Sequence, residues 1–143
     1  MEHTQEDCIF CKIIAGQIPA VKVYEDDQTL AFLDIMPVNP GHTLVIPKKH
    51  YENIFVAPEE TLLSMMKTIK IVAHGIKEGL GIDDMNIGMN NGIHSGQTVF
   101  HAHIHLMPRN ETDGYKLWHG QNMQMAKPKQ QQTKSKKRSK RFF

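Results

Sequence analysis

The chain is short of cysteine and of long apolar runs, and each shortage narrows what it can be. Two cysteines, Cys8 and Cys11, are too few for a disulfide framework. Their close spacing in a reducing compartment disfavours even one structural bridge. No apolar run approaches the roughly 20 residues that a membrane helix needs. Met1 to Asp7 is polar and acidic, without the apolar centre of a secretory leader. The expectation is a cytoplasmic chain. No internal repeat is evident. Acidic residues are missing altogether between Lys127 and Arg141, where eight lysines and arginines fall. Without those eight, the body holds nine basic residues against all fifteen acidic ones, a net of −6, so the pI of 8.5 describes the tail. The tail is lysine-rich with a Gln130 to Gln132 run and cannot bury apolar surface; it should be disordered from about 127. With 143 residues, 40% of them hydrophobic and 22% charged, the rest reads as one ordinary globular domain over residues 1–120, followed by an extension over 121–143.

Hydrophobic periodicity gives the elements of that domain. Cys8 to Ile14 is short and apolar, a turn leading into a short helix that Gly16 and Pro19 break. Val21 to Glu25 and Thr29 to Ile35 are strands joined by an Asp26-Asp27-Gln28 turn, a β-hairpin. Pro37, Pro40 and Gly41 make a loop, and His42 to Ile46 is a third strand stopped at Pro47. Pro58 opens a long helix with Glu59 and Glu60 complementing its dipole. Leu62, Met66, Ile69, Ala73, Ile76 and Leu80 form its apolar stripe, with Met65 and Met66 as core filler. Gly79 and Gly81 end it, Met85 to Asn90 is a fourth strand and Val99 to Met107 a fifth. The architecture is α+β: an antiparallel sheet of about five strands with one long helix and a short N-terminal helix. One helix leaves apolar surface uncovered in so small a domain, which a homodimer would cover.

The chemistry concentrates in His101-Ala102-His103-Ile104-His105-Leu106-Met107. In an extended strand, side chains at alternate positions share a face, so the three imidazoles would line one side and Phe100, Ala102, Ile104 and Leu106 the other. A glycine-rich turn, Asn91 to Gln97, runs into this row. Backbone N–H groups beside nucleophilic rings suit phosphate chemistry. The remaining histidines read more plainly. His3 and His119 lie in poorly ordered segments, His74 is exposed on the helix, His42 packs behind the site, and His94 is a loop residue as fit for solvent as for ligand.

The Cys8-x-x-Cys11 pair has three readings. A redox motif would want a βαβ context, which is missing. Two buried thiols at the edge of a core are a second option. Half of a zinc site is the third, and it requires two further ligands.

Taken together, these segments resemble the histidine triad (HIT) family. His101-Ala-His103-Ile-His105-Leu-Met107 matches its alternating histidine motif. Cys8 to Ile14, Phe32-Leu-Asp34-Ile35, Pro37 to Ile46, Pro47-Lys-Lys-His50 and Gly96-Gln-Thr-Val99 are similar, in the same order, to its HINT-like branch. The similarity covers roughly residues 8–120. It implies a HIT-like fold and a nucleotidyl hydrolase or transferase. Such an enzyme cleaves at the α-phosphorus of nucleoside phosphoramidates, aminoacyl-adenylates or dinucleoside polyphosphates through a nucleotidyl-histidine. On this resemblance His103 is the nucleophile, and His105 hydrogen-bonds a phosphate oxygen or the leaving group. The Gly96, Gln97 and Val99 backbone, with the Thr98 hydroxyl, holds the phosphate. Asp34 accepts from the ribose, although as a strand-end residue it would equally cap a turn. Ile9, Phe10, Phe32 and Ile35 line the purine pocket, and Asn90 sits near the phosphate. The chain also resembles the bacterial zinc-containing type, in which Cys8, Cys11, His50 and His101 hold a structural zinc. Two other functions compete: a nucleotide-binding module with little turnover, and an RNA-associated protein acting through the basic tail, for which a merely solubilising tail is the plain alternative.

Overall fold

The computed structural model describes residues 5–116 and Gly120. The expectations for His3, His119 and the extension over 121–143 therefore lie outside the described residues. Helix α1 (Ile9–Ile14) leads into strands β1 (Lys22–Glu25), β2 (Thr29–Leu33) and β3 (Thr43–Pro47). Helix α2 (Glu59–Leu80) and strands β4 (Asp84–Gly88) and β5 (Ile104–Arg109) follow. All strand pairings are antiparallel, in the order β1-β2-β3-β5-β4. This is the expected α+β architecture. Among the described residues no helix is long and apolar enough to cross a membrane.

Asp26 closes the first hairpin. Its Oδ1 accepts from the N–H groups of Gln28 and Thr29, both at 2.8 Å, the local bonding that makes aspartate a turn residue. Thr29, fully buried, meets the hydroxyl of Thr68 on α2 at 2.6 Å, a polar pin between sheet and helix. The sheet separates two apolar clusters. Leu30, Phe32, Leu44 and Ile46 face α1, with Phe10, Cys11 and Ile13. Ala31, Val45, Ile104 and Leu106 face α2, with Met65, Ile69 and Val72. Burial on both faces explains why β2 and β3 read as nearly continuous apolar runs.

Helix α2 begins after Pro58 and ends at Gly81, whose φ of +65° is a left-handed helix stop that glycine adopts without strain. Its most buried line is Met65, Thr68, Ile69 and Val72; of the expected stripe, Leu62, Ile69, Ala73 and Ile76 pack on the core and Met66 and Leu80 do not. Met66 and Leu80 are exposed. Spacings of four and three fit both lines, and the helix presents to the sheet the one that meets Val45 and Leu106. Leu63, Met66 and Ile71 remain outside, beside Ile87 of β4, around a groove of about 860 Å³.

Strands β2 and β4 end earlier than expected, at Leu33 and Gly88. The larger correction concerns the histidine segment. Strand β5 starts at Ile104, so His101 and His103 precede the ladder, and Phe100 lies at the surface, not in an apolar face. The cause is local competition for backbone partners. The Pro47 carbonyl, which β5 would need next, accepts from the His101 ring at 2.8 Å. The Ala102 N–H donates instead to the Tyr51 carbonyl at 2.7 Å.

Candidate functional site

Each imidazole here has one proton and two ring nitrogens, and its fixed partners decide where the proton sits. A carbonyl only accepts, so His101 carries its proton on Nε2, toward Pro47, and leaves Nδ1 bare. That nitrogen lies 3.4 Å from Cys8 Sγ, 3.6 Å from Cys11 Sγ and 3.1 Å from His50 Nδ1, and His50 Nδ1 is 3.4 Å from Cys11 Sγ. A zinc tetrahedron with bonds of about 2.0–2.1 Å to nitrogen and 2.3 Å to sulfur has edges of about 3.3 Å between nitrogens and 3.6 Å from nitrogen to sulfur. The observed edges match, and all four ligand atoms lie within 4.8 Å of one another. The donor set and the outer hydrogen bond to Pro47 fit a closed metal centre. Without a cation, burial pushes the Cys11 thiol up to about 11 and the His101 ring down to about 4. The Cys-x-x-Cys is geometrically suited to the cluster because Cys8 caps α1 and Cys11 sits one turn later.

Beyond His101 the chain turns into the second part of the site. His103 Nδ1 lies 2.7 Å from the His101 carbonyl, so its proton is on Nδ1 and Nε2 is bare. Burial lowers the His103 pKa, against partial opposition from that hydrogen bond and from Asp34, so the ring is neutral near pH 7. The ring packs edge-on against Phe10 at 5.1 Å and against His105 at 5.1 Å.

A relay crosses from the neighbouring strand. The Val38 N–H donates to His42 Nδ1 at 2.9 Å, so the proton of His42 is on Nε2. His42 Nε2 lies 2.9 Å from His105 Nδ1, which must therefore be bare, and the His105 proton is on Nε2. Burial, then neighbouring His103 and His42, press the His105 pKa down to about 4. Asp34, His42 and His105 also lie close enough together to suggest a second metal cluster. The protonated Nε2 of His42 donates to His105, so these two rings form a hydrogen-bonded relay with the Asp34 carboxylate 3.5 Å away. His42 was expected behind the site and belongs in it. Its partner strand explains how: His42, Leu44 and Ile46 alternate on one face, and Leu44 is the register partner of His105.

The other predicted residues divide. Phe10 and Phe32 are buried and meet edge-to-face at 5.5 Å, while Ile9 is partly exposed and Ile35 is 90% exposed. Asp34 caps a turn, as a strand-end aspartate can. Its Oδ1 caps the turn by accepting from Met36 N–H at 2.9 Å, and its Oδ2 stands 3.5 Å from His42 Nε2. In the glycine loop, Gln97 is buried and braces the turn. Its Nε2 donates to the Glu52 carbonyl at 2.7 Å and its Oε1 accepts from Gly92 N–H at 2.7 Å. Gly96, at φ +99°, has Asn90 Nδ2 only 3.4 Å from where a Cβ would stand, so Asn90 packs over the loop. Thr98 is exposed, Val99 is partly buried, and His94 is exposed in a 3-10 turn over Ile93–Ser95.

Residues 15–112 match the HIT domain family. The chain is 54% identical over 107 residues to an uncharacterised HIT-like protein of Methanocaldococcus jannaschii, covering 75% of this chain and 82% of that one. It is 41% identical over 119 residues to the adenylylsulfatase HINT3 of Arabidopsis thaliana, 83% of this chain but 59% of that protein. Among solved structures, a Zn-bound histidine triad family protein from Mycobacterium smegmatis superposes with a TM-score of 0.74 at 40% identity, over 81% of this chain and 84% of that one.

The proton assignments are directly measurable. Long-range proton–nitrogen correlation spectra near neutral pH should give His103 as the Nδ1–H form and His42 and His105 as Nε2–H forms. A His103 ring protonated on Nε2 would contradict the geometry.

Proposed function

Because the chain belongs to the HIT domain family, we propose that it is a nucleotide hydrolase that cleaves at an α-phosphorus through a nucleotidyl-histidine on His103. One observation carries this reading: the His101 carbonyl holds the proton of His103 on Nδ1, leaving a neutral ring with a bare nitrogen. Nε2 attacks the α-phosphorus, the bond to the leaving group breaks, and its electron pair departs with that group. The Nε2–H of His105 hydrogen-bonds the phosphate oxygen or the departing atom. Water then attacks phosphorus, returns the electron pair of the P–N bond to Nε2, and releases a nucleoside monophosphate. The backbone N–H groups of residues 96–99 and the Thr98 hydroxyl hold the phosphate oxygens. Asp34 accepts from the ribose, and Ile9, Phe10, Phe32 and Ile35 border a purine. The name of the Arabidopsis relative adds adenylylsulfate to the phosphoramidates, aminoacyl-adenylates and dinucleoside polyphosphates worth comparing as substrates.

Cys8, Cys11, His50 and His101 would hold zinc, as the Zn-bound mycobacterial relative supports. A closed four-ligand ion supplies a cross-link between α1 and the histidine segment, and no catalytic step. The open face of α2 beside edge strand β4, with Leu63, Met66, Ile71 and Ile87 exposed, would be covered by a second copy.

Replacing His103 by Ala should abolish turnover of an adenosine phosphoramidate while leaving adenosine monophosphate binding within a few fold. Near-normal turnover would end the nucleophile assignment, and wild-type binding without turnover would favour a binding module. Because burial lowers the His103 pKa, the midpoint of the acid-side fall in kcat/KM should lie below pH 6.5. Purified protein should carry about one zinc per chain, and chelation should lower the melting midpoint. Each 1 kcal/mol lost moves it by about 2–8 °C for a domain of this size. Metal-free protein with unchanged melting after chelation would refute the site. Sedimentation at micromolar concentration should give twice 16.3 kDa; a monomer there would refute the dimer.

A further inference from the structure

The His42–His105 relay depends on where one backbone N–H sits. Val38 belongs to a loop, residues 34–42, that has no strand partner of its own. Besides the Val38 bond, Asp34 N–H donates to the His42 carbonyl at 2.9 Å, Met36 N–H to Asp34 and His42 N–H to the Asn39 carbonyl at 3.1 Å; these shape the turn but do not attach its middle to the domain. The attachment comes from Asn39. Its Nδ2 donates to the Pro108 carbonyl at 2.8 Å and to Asp113 Oδ2 at 2.9 Å. Asp113 is itself held from several sides. Arg109 meets both of its oxygens, Nε to Oδ2 at 2.8 Å and Nη2 to Oδ1 at 3.0 Å. The N–H groups of Asn110 and Tyr115 also donate to it, each at 3.0 Å. Its side chain is 3% exposed against 18% for Arg109, so this is a bidentate, partly shielded ion pair at the end of β5. Arg109 also reaches Asn86 Oδ1 on β4 and the Tyr115 carbonyl. Gly41 completes the seating: at φ +91° it lies so near α2 that a Cβ would stand 2.4 Å from Leu80 Cδ1.

We infer that Asn39 and Asp113 are positioning residues, clamping the 34–42 loop so that the Val38 N–H fixes the tautomer of His42 and, through it, of His105. The inference rests on the role proposed above for the Nε2–H of His105. Asn39 touches neither ring. With its two donor bonds lost, the middle of the loop loses its side-chain tie to β5, leaving the closing Asp34–His42 bond, the His42–His105 contact and the packing of Gly41, and the Val38 N–H loses its fixed aim. His42 can then carry its proton on Nδ1, which turns a bare Nε2 toward His105. The proton of His105 moves to Nδ1 to meet it, and His105 no longer offers Nε2–H to a substrate.

The test uses the full chain, wild type and the variants Asn39→Ala, Asn39→Asp and Asp113→Asn. Asn39→Asp keeps the shape of the side chain, removes both donors and faces Asp113 with a like charge. Asp113→Asn can keep one acceptor oxygen for Asn39, but it removes the charge and turns the other oxygen into an NH2 facing N–H donors. Through-bond nitrogen–nitrogen couplings, from Val38 to His42 Nδ1 and from His42 Nε2 to His105 Nδ1, should be visible in wild type. In both Asn39 variants the first coupling should vanish and His105 should show mixed tautomers, with Asp113→Asn in between. On a phosphoramidate, kcat should fall by about tenfold or more, as for a mispresented proton donor, with KM changed less than about twofold. If a folded Asn39 variant keeps both couplings and a pure Nε2–H His105, the clamp does not set the tautomer. If wild type itself lacks the couplings, the relay and the inference both fail, whatever the variants do. His103→Ala turnover tests the nucleophile separately, because it is read without reference to the loop.

Discussion

The hydrogen bond from His101 Nε2–H to the Pro47 carbonyl is the constraint on which the site depends. It takes from the sheet an acceptor that β5 would otherwise use, so the chain leaves the ladder before Ile104. It fixes the tautomer of a fully buried ring and so aims a bare Nδ1 at Cys8, Cys11 and His50. The same residue's carbonyl then fixes the tautomer of His103 in the opposite sense. One residue thus joins the Cys8–Cys11–His50 cluster to the His103 ring through two covalently linked contacts. A buried polar group left unpartnered costs about 1–3 kcal/mol, so neither contact is readily given up.

The three histidines of the motif consequently differ in kind. His101 is scaffold, His103 presents a bare nitrogen, and His105 presents a proton because His42 and the Val38 amide require it. The row is neutral at physiological pH because burial dominates each shift. Neutrality is what nucleophilic attack by a ring nitrogen needs, and it also permits four imidazoles to crowd one small region without mutual repulsion.

Much of this was legible in the chain. Period-two alternation gave the sheet, and a proline followed by two glutamates gave the start of α2. The family motif named Cys8, Cys11, His50 and His101 before their atoms were seen to converge. Other features were hidden for physical reasons. Helical spacing admits two stripes on α2, and only contact with Val45 and Leu106 chooses Met65 over Met66. The alternation His101, His103, His105 reads as one strand, but a hydrogen bond across 54 residues, invisible to local pattern, ends the ladder early. His42 looked like a strand residue because its importance comes from the register of β3 against β5, which a lone sequence does not supply. Asn39 and Asp113 carry no local pattern at all; they meet across 74 residues.

On the proposed mechanism a covalent nucleotide forms on the ring whose proton the His101 carbonyl holds. Acid quench of the protein during turnover of an adenosine phosphoramidate, followed by proteolysis and mass spectrometry, would trap it. A transient adenylyl group is expected on the peptide that contains His103, mapped by fragmentation to that ring. An adenylyl group mapped to His105 or His42, or rapid turnover with no adduct at any quench time, would contradict it.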